Sequence, residues 1–597
     1  MEQAKVVEYP AASMNHKNNP KNIAIIGAGP SSLYLLKHLL TLDKELEIEV
    51  FEKTGIVGAG MPYSPQGATA EHITNVSGNE IPPLVMTLSR WLDEMAGKLP
   101  EQYAIDRDNF TQHHVVPRLL FGKYLAGQFS LLREQAANEG RVIKVHLNTE
   151  VTDLTDCHEE QKVQLTLGSG KTREFDYAVV CSGHRWPEKG ESARKGYFLS
   201  PYPPTKLALQ VNHAVAIKGS SLTAIDAIRT LARHNGSFEE ENGKLRFVPA
   251  EGSEKFKIVM HSRNGLLPAI RFHLRQPELS QDSLLTQEEV DANKKENGGF
   301  LSLDFVFEQN FKRRFQKSDP EFYKRIKNHN LESFVDLVMS MREGKPPFRL
   351  FREEYEEAEE SIRRRKSIFW KEMLAELSFT MNYPAKYLSA EDMLRLKNVL
   401  MPLVSIVIAF VPQSSCDELF ALHDAGRLDI VTVGQEGRVE PLKEGGIRYH
   451  YTDEHDGKKH AIRYHTYVDC SGQPHLSIED LPFPGLLRRK SVSQAALRFK
   501  SREEAEKLLA EGNELIVQNE HGEYFLKVSG ITITDHFQIV NEYNIPNDRI
   551  YIMAVPYIGG YNPDYSGLDF CEQASRCIVE KLGQVMNASH PPLHAEC

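Results

Sequence analysis

The 597-residue sequence lacks any apolar run long enough to cross a bilayer. Its longest apolar run, residues 399–411, is interrupted by Pro402. The first twenty residues contain no apolar segment of the kind that a signal peptide needs, so we expect a mobile polar arm there. The seven cysteines show no metal-ligand spacing, which predicts reduced thiols and no metal site. These absences predict a cytoplasmic protein without membrane insertion.

Positive charge is also scarce in this sequence. The 71 lysines and arginines are outnumbered by 82 acidic residues, which gives a formal net charge of -11. Because nucleic-acid binding needs a basic face, we predict no nucleic-acid partner, whereas a small anionic substrate in one local pocket remains compatible with this charge. The length predicts about two to four domains and leaves the oligomeric state open.

A strand–turn–helix pattern occupies residues 21–40. A short apolar strand is followed by a turn that contains Gly27 and Gly29, and then by a helix with apolar periodicity. Gly27 permits a tight turn, and Gly29 lets the backbone approach a pyrophosphate on the helix N-terminus. Ser32 fills the third small position, and the next strand ends in Glu52, an acid placed to accept hydrogen bonds from an adenosine ribose. The pattern predicts a dinucleotide site, with a phosphate-free turn as the alternative.

The same pattern recurs behind a proline-punctuated linker. A strand is predicted at residues 214–217, followed by a turn at Gly219 and a helix from about Leu222. Ser221 and Ala224 take the second and third small positions. An ordinary strand–turn–helix is the alternative for this unit alone, but a second unit in one chain implies a second dinucleotide or a duplicated scaffold.

The two nucleotide units differ at the end of their second strand. The strand that follows the second turn ends in Ser262 and Arg263 instead of an acid. An arginine can meet a 2′-phosphate, which an acid would repel, so this ending favours NADP over NAD. The alternative is an ordinary surface arginine.

Further sequence islands connect this chain to a known family. A small-residue turn at Ser182 and Gly183 is followed by Pro187, and other islands are GAGMPYSP, HITNVSGNEIP, VPRLLFGKYL, LSPYP, GSSLTAID, HSRNGLLP and VPQSSCDELFALHDAGRLDIVTVG. With the two turns, these islands resemble the two-dinucleotide flavoprotein monooxygenases. More closely, they are similar to the bacterial FAD/NAD(P)-binding family that includes a urate hydroxylase and an aspartate N-monooxygenase. One departure is the closing strand, which ends in Val555 and Pro556 where many such flavoproteins have Gly-Asp.

The resemblance implies an α/β fold with two Rossmann-like dinucleotide-binding domains and a helical insertion. The NAD(P) domain is expected to be inserted into a discontinuous FAD domain that closes with a strand near residue 550. The predicted order is a mobile arm (1–20), the first FAD part (21–203), the first NAD(P) part (204–273), the helical insertion or lid (274–398), the second NAD(P) part (399–460) and the second FAD part (461–590).

The resemblance also implies a function. We expect an FAD-dependent oxidoreductase that consumes NADPH or NADH and oxygen and hydroxylates a small polar, nitrogen-bearing substrate through a flavin C4a-hydroperoxide. Candidate donors near the flavin or substrate are His113 and His114, for which a surface or structural role is the alternative. Arg118 is a candidate to meet an FAD phosphate or an anionic substrate, with a helix N-terminal salt bridge as the alternative. Asn75 is a candidate to hydrogen-bond the isoalloxazine edge of the flavin, with a turn-forming role as the alternative. The expected cofactor-binding residues are Gly27, Gly29, Pro30, Ser31, Ser32, Glu52, Lys53, Gly60, Asn75 and Gly183 for FAD, and Gly219, Ser221, Leu222, Ala224 and Arg263 for NAD(P).

Two other functions compete with hydroxylation. A flavin disulfide reductase needs a closely spaced cysteine pair, but Cys571 and Cys577 are spaced so that they point to different faces of one predicted helix. An FAD/NAD(P)-binding redox sensor or scaffold would keep both turns without an open substrate pocket. NAD(P)H oxidation by the FAD-loaded protein would separate these possibilities.

Overall fold

Two parallel β-sheets, each covered by helices, form the framework of the chain. The computed structural model describes residues 20–100, 103, 110–184, 186, 191, 194–274, 285–453, 457–473, 476–561 and 565–588. The predicted N-terminal arm therefore lies almost entirely outside the described residues. Within the described part of the chain, no helix combines the length and the apolarity needed to span a bilayer.

The first sheet begins at the first predicted strand. The elements of this segment, in chain order, are β1 (Lys21–Ile26), α1 (Pro30–Leu39), β2 (Leu46–Phe51), α2 (Leu88–Glu94), α3 (Arg118–Asn138), β3 (Ile143–His146), β4 (Val151–Cys157), β5 (Lys162–Leu167), β6 (Thr172–Phe175) and β7 (Tyr177–Val180). Strands β7, β1, β2 and β3 are parallel neighbours, whereas β4, β5 and β6 form a separate antiparallel sheet. Residues 23–26 are all buried, as expected of a strand that is covered on both faces.

The second sheet begins at a short strand in the predicted linker. Its first segment contains β8 (Tyr197–Phe198), β9 (Ala214–Lys218), α4 (Leu222–Asn235), β10 (Gly236–Glu241), β11 (Lys244–Pro249) and β12 (Lys257–Ser262). After the helical insertion, the chain returns with α14 (Gln413–Asp424), β13 (Leu428–Thr432), β14 (Arg438–Pro441), β15 (Ile447–Thr452), β16 (Lys459–Tyr464) and β17 (Thr466–Asp469). The parallel sheet has the order β13-β12-β9-β17-β8, and β14, β15 and β16 form an antiparallel sheet.

Two predicted boundaries differ from this topology. Strand β17 pairs with β9 in the second sheet, although residues 461–590 were expected to lie in the first domain. Strand β8 pairs with β17 and so also belongs to the second sheet, although residues 21–203 were expected in the first domain. Strand pairing between distant segments decides both memberships, and local periodicity does not report it.

Helices dominate the insertion between the two parts of the second sheet. They are α5 (Gln287–Glu296), α6 (Leu303–Phe307), α7 (Arg313–Ser318), α8 (Pro320–Ile326), α9 (Leu331–Glu343), α10 (Pro347–Arg364), α11 (Phe369–Thr380), α12 (Ala390–Arg395) and α13 (Met401–Val407). A π-helical turn, Leu396–Leu400, joins α12 to α13, and another, Glu308–Lys312, joins α6 to α7. The helical region therefore continues past the predicted end at residue 398.

The last segment returns to the first sheet. It contains α15 (Pro484–Arg488), β18 (Gln494–Arg498), α16 (Arg502–Ala510), β19 (Ile516–Gln518), β20 (Tyr524–Ile531), β21 (Gln538–Val540), β22 (Pro546–Ile552) and α17 (Gly567–Ala588), with short 3-10 helices elsewhere at Gly78–Glu80, Pro204–Leu207, Pro384–Tyr387, Ile478–Asp480 and Val555–Tyr557. Strand β22 pairs in parallel with β7, and β21 closes the edge in the antiparallel direction. The first sheet thus has the order β21-β22-β7-β1-β2-β3. The predicted α/β fold, with a discontinuous first domain, an inserted second domain and a helical insertion, is confirmed.

Candidate functional site

The first glycine turn connects β1 to α1 at the carboxyl edge of the first sheet. Gly27 has a φ of +102°, and a Cβ atom added to it would lie 2.8 Å from the carbonyl oxygen of Cys181. The Gly27 N–H donates to the carbonyl oxygen of Phe51 over 2.8 Å. Both the dihedral angle and the close backbone therefore require glycine at this position.

Glu52 braces this turn. Its Oε2 accepts a hydrogen bond from the Ala28 N–H over 2.8 Å, and its Oε1 accepts from both the N–H and the hydroxyl of Thr54, each over 2.8 Å. A carboxylate has about four lone-pair sites, so these three bonds leave capacity for a ribose hydroxyl. The acid at the end of β2 therefore fixes the backbone of the turn in addition to any role toward a ligand.

The second glycine turn connects β9 to α4 with nearly the same backbone. Gly219 has a φ of +103°, and an added Cβ would lie 2.8 Å from the carbonyl oxygen of Cys470. Its N–H donates to the carbonyl oxygen of His261 over 2.8 Å. The N-cap residues also match, since Gly29 has φ -84° and ψ -165° while Ser221 has φ -89° and ψ -168°.

The backbone match defines which residues correspond at the two strand ends. Because His261 corresponds to Phe51, Ser262 takes the place of Glu52, and Arg263 takes the place of Lys53. The Ser220 hydroxyl donates to the Leu266 carbonyl oxygen over 2.7 Å, and its oxygen lies 3.1 Å from the Ser262 hydroxyl oxygen. The second turn is thus braced by neutral hydroxyls. Arg263 is exposed, and its guanidinium makes no ion pair within the described residues.

Both turns leave hydrogen-bond donors open where a phosphate would bind. Neither Gly29 nor Ser221 caps its helix through a side chain, although serine is a preferred N-cap residue, and Ser221 is exposed. Beside Gly27, the buried hydroxyl of Ser182 has no hydrogen-bond partner in the described part of the chain. Free N–H groups at a helix N-terminus suit an anion, so the residues present fit a dinucleotide phosphate at each turn.

The remaining residues predicted for the first turn lie in several environments. Gly60 packs against the turn, since a Cβ added to Gly29 would lie 3.3 Å from the Gly60 Cα, and Pro30 begins α1 beside it. Ser31 Oγ lies 3.4 Å from Cys571 Sγ on α17, and the buried Ser32 hydroxyl donates to the Gly29 carbonyl oxygen over 2.9 Å. Lys53 and Gly183 are exposed, and Pro187 lies outside the described residues.

The remaining residues predicted for the second turn belong to α4. Leu222 is the first residue of the helix and is half-buried. Ala224 is fully buried, as Ser32 is in α1, because both positions face the sheet. The small side chains at these two positions allow each helix to pack closely on its strand.

The predicted histidine pair lies at the surface. His113 and His114 are both exposed, and the Thr111 N–H donates to His114 Nδ1 over 2.9 Å. The His113 ring lies 5.1 Å, centroid to centroid, from that of His273. Partial burial and the nearby charges of His273 and Arg365 lower the pKa of His113. His113 therefore lies beside His273 and close to Arg365. His114 closes a turn with Thr111.

Arg118 is the first residue of α3 and forms a salt bridge, which was the predicted alternative to a ligand-binding role. Its Nη1 lies 2.5 Å from Oδ2 of Asp226 on α4, and its Nε donates to the Ile73 carbonyl oxygen over 3.1 Å. Burial alone would raise the pKa of the Asp226 carboxyl. Its partners Arg118, His72 and the Tyr202 hydroxyl lower this pKa by more than burial raises it, so the net pKa lies below its usual range. The guanidinium is thus held in an ion pair between the two domains.

A second buried ion pair crosses the same interface. Here the second domain contributes the arginine and the first domain contributes the acid. Arg271, from the segment after β12, forms an ion pair with Glu80 and donates to the Ser77 hydroxyl over 2.6 Å. It also donates to the carbonyl oxygen of Asn75, which was predicted to contact the flavin edge. This pair was not predicted from the sequence. Glu80 lies within the island HITNVSGNEIP, and Arg271 lies three residues beyond the island HSRNGLLP.

Two family models match separate parts of the chain. Residues 24–185 match the model described as FAD-NAD(P)-binding, and residues 286–408 match the YdhS-like middle domain. The first match covers β1 to β7 and the Gly27 turn. The second covers the helical insertion from α5 to α13.

The chain is also similar to individual proteins. The chain is 29% identical over 470 residues to the protein YdhS of Escherichia coli (strain K12), which covers 78% of this chain and 86% of that protein. Among solved structures, ornithine hydroxylase (PvdA) from Pseudomonas aeruginosa has a TM-score of 0.47 at 11% identity and covers 95% of this chain and 100% of that chain. Bacillithiol disulfide reductase Bdr (YpdA) from Staphylococcus aureus has a TM-score of 0.41 at 11% identity, with 96% and 99% covered.

The comparisons assign no reaction to this chain. The two solved structures catalyse different chemistry, and both TM-scores lie below 0.5, so neither assigns a reaction to this chain. The family models, by contrast, agree with the resemblance read from the glycine turns. The chain has an FAD/NAD(P)-binding domain at residues 24–185 and a YdhS-like middle domain at residues 286–408.

Proposed function

We propose that this protein is a flavin-dependent monooxygenase that holds FAD at the Gly27 turn and NADPH or NADH at the Gly219 turn. One oxygen atom of O2 enters a small polar, nitrogen-bearing substrate, the other leaves as water, and NAD(P)H supplies the two electrons. When bound, the flavin accepts hydride from the nicotinamide and activates oxygen. The substrate class follows from the sequence resemblance described above.

The observation that carries this proposal is a pair of matched turns with different strand ends. Two turns with φ values of +102° and +103° give two phosphate sites on separate sheets. Only the first has an acid at the end of its second strand, where Glu52 meets the turn, and such an acid suits the adenosine ribose of FAD. At the second, Ser262 and the exposed Arg263 offer a neutral group and a cation, which favours the 2′-phosphate of NADPH.

The helical insertion is the proposed substrate or lid region. It packs on the last segment of the FAD domain, where the Tyr387 hydroxyl donates to Asp535 Oδ2 over 2.5 Å and Lys386 forms an ion pair with the same carboxylate. On its other side, the last turn of α13 bonds to the segment before Arg271, with the Ala269 N–H donating to the Ile406 carbonyl oxygen over 2.8 Å. An element bonded to both domains is placed to cover a site between them and to exclude water.

The cysteines argue against the reductase alternative. The described cysteines are all free thiols, and Cys571 and Cys577 lie on one helix, α17. Burial raises the pKa of Cys571 to about 11, which disfavours the thiolate that a disulfide exchange reaction needs.

A turnover screen tests the proposal. The FAD-loaded protein would be mixed with NADPH, or NADH, and with amino acids, amines and purines in turn, while NAD(P)H oxidation and oxygen uptake are followed. We expect one substrate group to stimulate both rates together, and Gly219→Ala should abolish the stimulation while FAD stays bound. Turnover that needs a disulfide substrate would favour a reductase, and no turnover under any condition would favour a redox sensor or scaffold.

A further inference from the structure

The ion pair between Arg118 and Asp226 lies next to the proposed nicotinamide dinucleotide site. Asp226 is the fifth residue after Ser221, the N-cap of α4, so the two are about 7.5 Å apart along the helix axis. The Asp226 carboxylate is buried, and its Oδ2 accepts from Arg118 over 2.5 Å and from the Tyr202 hydroxyl over 2.7 Å. A negative side chain is therefore built into the helix whose N-terminus is open to a phosphate.

We propose that Arg118, contributed by the FAD domain, is a positioning residue for the NAD(P) site because it neutralises Asp226. Without Arg118, the Asp226 carboxylate would oppose the phosphates at the N-terminus of α4. This inference rests on the proposed function, since it assumes that a nicotinamide dinucleotide binds at the Gly219 turn. It gives the FAD domain a direct electrostatic role in binding the second dinucleotide.

The size of the effect follows from Coulomb's law. Two unit charges about 10 Å apart, at an effective dielectric constant of about 20, change a binding constant by about tenfold. The guanidinium of Arg118 and the carboxylate of Asp226 cancel each other at that distance. Removing the guanidinium alone should therefore weaken NADP+ binding by about tenfold, provided that Asp226 stays ionised.

This condition makes the effect depend on pH. The charged or titratable groups that face Asp226 are Arg118 from α3, His72 from the loop before it, Tyr202 from the segment between β8 and β9, and Cys470 after β17. In the intact protein, the net pKa of Asp226 is lowered, so its carboxylate is ionised throughout the neutral range. Without Arg118, burial is opposed only by His72 and the Tyr202 hydroxyl, so the pKa of Asp226 rises from its value in the intact protein. NADP+ affinity should then be near normal at low pH, where Asp226 is protonated, and should fall as pH rises.

The test is a titration of the FAD-loaded full-length protein with NADP+ from pH 6 to pH 9, with each dissociation constant divided by the wild-type value at the same pH. For Arg118→Met we expect a ratio near 1 at low pH that rises to about 10 at high pH. Arg118→Lys, which keeps the charge, and the double variant Arg118→Met/Asp226→Asn, which removes both charges, should give flat ratios near 1. Asp226→Asn alone should bind NADP+ no more weakly than wild type.

The second interdomain ion pair supplies the matched control. Arg271→Met breaks the pair with Glu80 and loosens the same interface, but it leaves Asp226 neutralised, so its ratio should be flat with pH. Equal, pH-independent losses in Arg118→Met, in the double variant and in Arg271→Met would overturn the inference and assign Arg118 a purely structural role. If Arg118→Met does not fold, a ratio above 1 for Asp226→Asn would also overturn it. Failure of wild-type protein to bind NADP+ or NAD+ would instead overturn the proposed function.

Discussion

The two glycine turns of this chain share nearly the same backbone conformation but carry different side chains. At each turn a glycine with a φ near +100° meets a carbonyl oxygen of the neighbouring strand, that of Cys181 at the first and that of Cys470 at the second. The group at the end of the second strand is Glu52 in one domain and Ser262 in the other.

The comparison separates what makes a dinucleotide turn from what selects the dinucleotide. Packing within each sheet requires glycine at the turn, because the neighbouring backbone leaves no room for a Cβ at either position. Selection falls to side chains at the strand end, where an acid favours a free ribose and an arginine favours a 2′-phosphate. Three pairs of substitutions at equivalent positions, and one single substitution in the second turn, would break or sharpen this comparison.

The largest effect is expected from alanine at the two glycines. Gly27→Ala and Gly219→Ala each combine a strained positive φ with a Cβ 2.8 Å from a backbone carbonyl oxygen, and each should lower the free energy of unfolding by about 2–5 kcal/mol. Gly27→Ala should be purified without FAD. Gly219→Ala should keep FAD and lose NADP+ binding, as measured by the flavin absorbance and by NADP+ titration.

The two glycine variants are informative as a pair because each is expected to lose a different dinucleotide. If both variants lost FAD equally at a temperature where each is folded by circular dichroism, the two turns would not serve separate ligands. An FAD-free Gly219→Ala variant beside an FAD-loaded Gly27→Ala variant would reverse the assignment.

A smaller effect is expected at the strand ends. Glu52→Ala removes the charge-assisted hydrogen bond to the Ala28 N–H and the acceptor proposed for the ribose, so the FAD dissociation constant should rise by about 10- to 100-fold. Ser262→Ala, at the equivalent position, should leave FAD binding unchanged. Flavin fluorescence during dilution measures both, and unchanged FAD occupancy in Glu52→Ala would remove the role proposed for this acid.

The next effect concerns the choice between the two nicotinamide dinucleotides. Arg263→Ala should raise the Michaelis constant for NADPH by about tenfold and change that for NADH little, because the lost contact is to the 2′-phosphate alone. Lys53→Ala is the control at the corresponding position of the first turn and should leave the NADPH to NADH ratio unchanged. Equal changes for both dinucleotides in Arg263→Ala would contradict the 2′-phosphate role.

The smallest effect is expected from Ser220→Ala, which makes the second turn more like the first, where Ala28 stands. The lost hydroxyl donates to the Leu266 carbonyl oxygen over 2.7 Å, so the free energy of unfolding should fall by about 1 kcal/mol. Urea unfolding measures this change, and FAD should stay bound. A loss of FAD on this substitution would mean that the second turn supports the first site directly.

Much of the framework could be predicted from the sequence because it rests on local pattern. The apolar strands, the glycine turns and the returning strand near residue 550 lie where periodicity and small residues indicated, and the resemblance supplied the inserted arrangement. The boundary near residue 460 was misplaced because β17 looks like an ordinary buried strand, and only its pairing with β9 assigns it to the second sheet.

The interface between the domains could not be predicted in the same way. Arg118 and Asp226 are separated by more than a hundred positions, and nothing in the local pattern of either indicates the partner of the other. The same holds for Glu80 and Arg271. A sequence motif therefore located both glycine turns, whereas the charges that connect the two domains became visible only in three dimensions.

The central claim, two separate dinucleotide sites on one chain, is tested most directly by binding stoichiometry. Equilibrium dialysis of the purified protein with FAD and NADP+ together should give one equivalent of each per chain, with saturating NADP+ leaving the bound FAD in place. Displacement of FAD by NADP+, or a combined total of one dinucleotide per chain, would contradict the account.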